Sequence, residues 1–75
     1  MRTREEHLEW CKQRAREYLD AGDLVNAVTS MGSDMDKHPE TRLSGEKMGT
    51  LMYVAMFRIT EGDAQGIREW IEGFR

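Results

Sequence analysis

Two residues near the start of this 75-residue chain, His7 and Cys11, carry side chains that bind metal ions or act in nucleophilic catalysis. They are four residues apart, so a helix would place both on one face, where Glu5, Glu6 or His38 could complete a ligand set. No Cys-x-x-Cys or His-Glu-x-x-His pattern accompanies them. The spacing alone is weak evidence, and we predict no bound metal and no cofactor.

A nucleophilic Cys–His pair is also disfavoured. Such a pair must meet in a cleft that excludes water, with a third group that orients the histidine, and short helices do not easily build one. Cys11 instead occupies an apolar position of its predicted helix, where small buried thiols are common. We predict that Cys11 is buried and structural, and that the protein is not an enzyme.

Two pairs of aspartates have the close spacing seen in acid–base catalysis, namely Asp20 with Asp23 and Asp34 with Asp36. The first pair lies at a predicted corner between helices, and the second lies at a predicted helix end. Aspartates at such positions more often cap a helix or remain solvated. We therefore expect both pairs to be caps or solvent-exposed groups.

The elements that position these residues are predicted to be helices. Apolar residues recur at helical spacing, and Gly-Asp pairs at 22–23 and 62–63 each combine a left-handed stop with a cap for the next helix. Thr3 with Glu6 forms a capping-box pattern, and Pro39 ends the second helix. The predicted bounds are Thr3 to Leu19, Leu24 to Asp36, Ser44 to Ile59, and from the second Gly-Asp corner to Phe74.

The predicted fold is all-α, with four short helices in two antiparallel helical hairpins that form one domain. The hairpins span residues 3–37 and 45–75, and a polar loop at 38–44 joins them. A shift of 40 residues superimposes the apolar positions and the Gly-Asp corners of the two hairpins. This pattern fits a true repeat, or the alignment that any two such hairpins would give.

The first hairpin resembles a single tetratricopeptide unit. The small, aromatic, glycine, alanine, large apolar and proline positions of that unit are occupied by Ala15, Tyr18, Gly22, Ala27, Met31 and Pro39. Two units are fewer than a stable array needs. The resemblance therefore implies the local geometry of a helical hairpin and not a peptide-binding groove.

A second resemblance covers nearly the whole chain. It rests on the segments Glu6-His7-Leu8-Glu9-Trp10, Tyr18-Leu19-Asp20-Ala21-Gly22-Asp23, Ser33-Asp34, Lys37-His38-Pro39-Glu40-Thr41 and Ile71-Glu72-Gly73-Phe74. These segments look like those of small proteins encoded by tailed phages of actinobacteria, a family with no assigned catalytic function. The resemblance implies a cytoplasmic phage protein that binds and modulates a host or phage protein.

Charge gives little reason to expect nucleic acid as the partner. The chain has 14 acidic and 11 basic residues, and a formal net charge of -3. An alternative is a nucleic-acid-associated regulator that uses the basic residues of the first helix, which are Arg2, Arg4, Lys12, Arg14 and Arg16. Glutamates are interleaved with these cations, which favours a solvated helix face.

The sequence also predicts a cytoplasmic protein that does not cross a membrane. The one cysteine allows no internal disulfide, as is usual in a reducing compartment. The first residues, Met1 to Glu6, are charged and do not resemble a signal peptide. The longest apolar run, Leu51 to Phe57, is too short to span a bilayer.

That apolar run leaves the third helix without a polar face over two turns, which predicts burial on several sides. Methionines at helical spacing on the same helix are typical of adaptable binding surfaces, although an ordinary core is the alternative. Because so short a chain has difficulty covering this surface, we predict a homodimer through the third and fourth helices. The candidate partner or dimer surface consists of Trp10, Met48, Met52, Tyr53, Met56, Trp70 and Phe74. A monomer with the third helix at its centre is the competing interpretation.

Overall fold

The computed structural model describes residues 3–75, and every regular element in that range is an α-helix. This confirms the predicted all-α class. The helix ends lie within two residues of the predicted ones. In chain order the helices are α1 (Arg4–Asp20), α2 (Leu24–Met35), α3 (Gly45–Thr60) and α4 (Ala64–Glu72).

Side-chain caps begin the helices where the sequence indicates them. The Thr3 hydroxyl accepts a hydrogen bond from the amide of Glu6 at 3.1 Å, and the Glu6 carboxylate accepts one from the amide of Thr3 at 3.4 Å. This reciprocal pair confirms the capping box. The side chains of Asp23, Ser44 and Asp63 cap α2, α3 and α4 in the same manner.

The two Gly-Asp corners have the same backbone geometry. Gly22 and Gly62 have φ angles of 81° and 66°, in the left-handed region that favours glycine. At each corner the aspartate amide donates a hydrogen bond of 2.9 Å to the carbonyl five residues earlier, on Tyr18 or Arg58. Each corner therefore ends one helix and starts the next by the same local device.

The core lies mainly between α1, α2 and α4. α1 and α2 pack together most extensively, and α4 contacts both of them. Among the described residues, α3 contributes only Ala55 to the fully buried set. The core residues are Leu8, Cys11, Ala15, Leu19, Ala27, Val28, Met31, Met35, Ala55, Ile67, Trp70, Ile71 and Phe74.

The position of α3 corrects the prediction that this helix is buried on several sides or lies at the centre of a monomer. α3 packs against α2 and α4 along one side, and in the described chain it does not contact α1. Its opposite side faces solvent. The continuous apolar run from Leu51 to Phe57 therefore covers both a buried and an exposed face of one peripheral helix.

Candidate interaction surface

The exposed side of α3 carries four large apolar side chains. Tyr53, Val54, Met56 and Phe57 are 64%, 39%, 62% and 56% exposed, respectively. They are exposed because Ala55, the residue between them, is the position that points into the core. We call this group of four residues the α3 face.

The aromatic residues of the α3 face support each other. The rings of Tyr53 and Phe57 meet edge to face, with their centroids 5.0 Å apart and their planes at 88°. Residues four apart lie above one another on a helix, so this contact belongs to α3 alone. It holds two large side chains in place on a surface that is open to solvent.

The three methionines at helical spacing on α3, which are Met48, Met52 and Met56, are divided between the two sides of the helix. Met48 and Met52 are half-buried and face α2, where Met52 lies so close to Gly32 that a Cβ atom there would approach its Cε to 2.7 Å. Met56 points to solvent. Only Met56 therefore joins Tyr53 in the exposed part of the predicted surface.

Trp70 and Phe74 belong to the core and not to the surface on which the sequence placed them. They are 7% and 9% exposed, and their rings pack edge to face with centroids 4.9 Å apart. The indole N–H of Trp70 also donates a hydrogen bond of 2.9 Å to the carbonyl of Leu51. The hydrogen bond of Trp70 attaches α4 to α3, and burial removes both aromatic residues from the exposed surface.

Trp10 lies on α1 and is half-buried. Its ring stacks on His7 with a centroid distance of 5.5 Å, and the guanidinium carbon of Arg14 lies 5.0 Å from the ring centroid. Since α1 does not contact α3 in the described chain, Trp10 is not part of the α3 face.

Val54 and Phe57 are the members of the α3 face that sequence reasoning missed. One signal that identifies them is the exposed Thr50 and Thr60 on the same helix. These threonines mark the solvent side, and Phe57 lies on that side by helical spacing, seven residues after Thr50 and three before Thr60.

Asp34 is buried, contrary to the prediction that it is a cap or a solvated group. It is 1% exposed, and its carboxylate accepts hydrogen bonds from Arg14 Nε at 2.6 Å, Lys37 Nζ at 3.0 Å and Ser30 Oγ at 3.3 Å. Burial acts to raise the pKa of Asp34, but the hydrogen bonds from Lys37 and Arg14 outweigh it and hold that pKa below its ordinary value. The group joins α1 to the end of α2.

The other three aspartates behave as expected. Asp23 caps α2, and its carboxylate accepts a hydrogen bond of 3.1 Å from the amide of Asn26. Asp20 and Asp36 are exposed. None of them lies in a buried setting suited to acid–base chemistry.

His7 and Cys11 are both buried, which confirms the predicted burial of the thiol. The Nε2 atom of His7 lies 2.8 Å from the carbonyl oxygen of Asp34, to which it donates, because a carbonyl oxygen only accepts. Within residues 3–75, no three His, Cys, Asp or Glu side chains come close enough together to hold a metal ion.

The basic side chains of α1 are engaged within the molecule. Arg16 forms two hydrogen bonds of 2.7 Å with the carboxylate of Glu72, and one of 2.7 Å with Glu9. The hydrogen bond from Arg16 holds the pKa of Glu72 below its ordinary value, against the smaller effect of burial. This bidentate pair connects α1 to α4.

The remaining cations of the predicted basic set also have acceptors. Arg14 is paired with the buried Asp34, and Lys12 donates to a backbone carbonyl of α4 at 3.4 Å. Arg4 donates to the backbone oxygens of Glu40 and Arg75. Arg2 lies outside the described residues. This arrangement weighs against the alternative in which these cations bind phosphates.

No protein-family model, curated protein or solved structure matches the chain. The candidate surface therefore rests on its own geometry. In the part of the chain that the structure describes, no helix has both the length and the apolar character needed to cross a membrane.

Proposed function

We propose that this chain is a small non-enzymatic protein that acts by binding proteins, and that the α3 face is its contact surface. The observation that carries the proposal is the exposure of Tyr53, Met56 and Phe57, each more than half accessible to solvent on one side of one helix. Contiguous exposed apolar groups of this kind mark interaction sites. Aromatic residues and methionine are also enriched at protein interfaces.

The class of target comes from the sequence. The resemblance to small phage proteins supports a host or phage protein as the partner that is bound and modulated, with the cytoplasm as the place of action. The paired cations of α1 make nucleic acid the less supported ligand.

Site-specific photocrosslinking tests the contact surface. A photoreactive phenylalanine analogue replaces Phe57 in one variant and Val25 in a control, because Val25 is equally exposed at 56% but lies on α2. We expect a discrete protein adduct from position 57 that disappears when Tyr53→Glu is added, and none from position 25. Equal background from both positions would contradict the proposal.

A further inference from the structure

We propose that the contact between α2 and α3 is a redox-sensitive switch, in which oxidation of Met52 to its sulfoxide by a peroxide releases α3 from α2. The inference is carried by the packing of Met48 and Met52 on Gly32, and by a solvent-filled opening beside them. It does not rest on the proposed function, because every readout of its test concerns this chain alone.

The attachment of α3 to the rest of the described chain consists of its contacts with α2 and with α4. The contact with α4 includes hydrogen bonds from the indole of Trp70 to the carbonyl of Leu51, and from the guanidinium of Arg58 to the carbonyl of Gly66. Between α2 and α3 the described residues form no hydrogen bond and no ion pair. The packing of apolar side chains therefore maintains this second contact by itself.

Gly32 is the position on α2 against which the methionines of α3 pack. It is buried, and a Cβ atom there would lie 2.7 Å from Met52 Cε, 3.9 Å from Met52 Sδ and 3.8 Å from Met48 Sδ. Both sulfurs therefore lie close to the only residue of α2 that has no side chain. Met52 also packs against the buried core, so its position affects more of the fold than that of Met48.

A cavity of about 480 Å³ lies beside this contact and is open to solvent. Gly32, Met48 and Met52 line it, together with polar residues of α2 and of the loop before α3, which include Ser33 and Arg42. A small peroxide can therefore reach the two methionines without unfolding of the chain.

The other described methionines lie in different settings and provide internal controls. Met31 and Met35 are 0% and 2% exposed, so a peroxide reaches them slowly in the folded protein. Met56 is 62% exposed on the solvent side of α3, where an added oxygen remains in water. Met48 and Met52 alone among the described methionines are both open to solvent and packed between two helices.

Oxidation changes the groups against which the Met52 side chain can pack. A sulfur lone pair attacks one oxygen of the peroxide, and an S–O bond forms as the O–O bond breaks. With hydrogen peroxide, the departing hydroxide takes the proton of the transferred oxygen and leaves as water. The sulfur is oxidised by two electrons and the peroxide is reduced, and methionine sulfoxide reductases reverse the change.

The sulfoxide oxygen is a hydrogen-bond acceptor, and its burial against Gly32 without a donor costs free energy. The oxidised side chain therefore turns toward the open cavity, and its Cε leaves Gly32. Because packing alone joins α2 to α3, this movement weakens the contact. The hydrogen bonds to α4 remain, so α3 loosens first on the side of α2.

Oxidation with hydrogen peroxide, followed by peptide mapping and amide hydrogen exchange, tests the inference. We expect Met56 to react first, Met48 and Met52 next, and Met31 and Met35 last. Once Met52 is oxidised, the amides of α3 should exchange at least about tenfold faster, whereas those of α1 should change by less than about twofold. Treatment with both stereospecific sulfoxide reductases should restore the original exchange rates.

Met52→Leu is the central variant, because leucine is similar in size and cannot take up oxygen. Peroxide should accelerate exchange in α3 of this variant by less than about threefold. Met56→Leu is the matched control on the same helix and should respond as the wild type does. In the wild type, the acceleration at successive extents of oxidation should follow the fraction of Met52 sulfoxide and not that of Met56 sulfoxide, which requires no variant to fold.

The outcomes distinguish a local release from general damage. Acceleration that follows the oxidation of Met56, or that persists in Met52→Leu, would overturn the inference. Equal acceleration in α1 and α3 would also overturn it, because oxidation would then weaken the whole fold. Acceleration confined to α3, absent from Met52→Leu and reversed by the reductases, would support it.

Discussion

The substitution Asp34→Asn tests whether the buried carboxylate stabilises the junction of α1 and α2. The Asp34 side chain is 2% exposed and accepts hydrogen bonds from two cations, Arg14 and Lys37. An asparagine keeps the shape but loses the charge and one strong acceptor. Both cations remain about half exposed, at 43% and 58%, so water can solvate them after the change.

These contacts set the expected magnitude. A hydrogen bond to a charged group contributes about 1.5–3 kcal/mol, and the exposure of the partners places the cost of Asp34→Asn at about 2 kcal/mol. In a domain of this size, that cost lowers the melting temperature by about 8–16 °C. Thermal unfolding followed by circular dichroism at pH 7 and low salt measures it.

The pH dependence gives a second readout. Because the pKa of Asp34 is lower in the folded state than its ordinary value of 3.8, the ionised group stabilises the fold fully above that value. This contribution is lost as the pH falls through the folded pKa. Asp34→Asn should therefore lose less stability than the wild type when both are acidified from pH 5 toward pH 2.

Asp36→Asn is the matched control. Asp36 follows two residues later, and its side chain is 71% exposed and pairs with Arg42 at 3.1 Å. An exposed pair of this kind contributes at most about 1 kcal/mol. Equal melting temperatures for Asp34→Asn and Asp36→Asn would refute the view that the buried carboxylate holds the two helices together.

Three further predictions concern the corners, the thiol and the α1–α4 junction. Gly22→Val should cost more than about 1 kcal/mol, because a β-branched residue is strained at a positive φ angle, and Gly62→Val should cost a similar amount; an unchanged melting temperature would contradict this. Cys11 should react slowly with a thiol reagent in the native state and rapidly in denaturant, whereas rapid native labelling would place it at the surface. Arg16→Gln should lower the free energy of unfolding by about 1 kcal/mol at low salt and by less in 1 M salt, because the pair of Arg16 with Glu72 is only partly shielded from solvent. Denaturant titrations of the wild type and the variant at both salt concentrations measure this difference.

The features that the sequence predicted depend on local rules. The capping box at Thr3 and the left-handed glycines at positions 22 and 62 each involve residues within one helical turn. Such patterns are readable because the chain needs no distant partner to form them. The burial of Cys11 followed in the same way from helical periodicity.

The features that the sequence did not predict depend on packing between helices. The run from Leu51 to Phe57 contains no charged residue or amide, so its solvent side is marked only by Thr50 and Thr60 just outside it. Ala55 is selected as the buried position by the approach of the neighbouring helices. Trp70 enters the core because it meets the backbone of Leu51 on another helix. Asp34 is buried because Arg14, 20 residues earlier in the chain, reaches it.

The two tryptophans have a consequence for spectroscopy, because each hairpin contains one of them in a different setting. The ring of Trp10 contacts the imidazole of His7 and the guanidinium of Arg14 on α1, whereas the indole of Trp70 is hydrogen-bonded to α3. Fluorescence of a Trp10→Phe variant therefore reports on the second hairpin, and that of Trp70→Phe reports on the first. For each variant, the unfolding curve from fluorescence is compared with the curve from circular dichroism. Agreement of the two curves in both variants would show that the hairpins unfold as one cooperative unit.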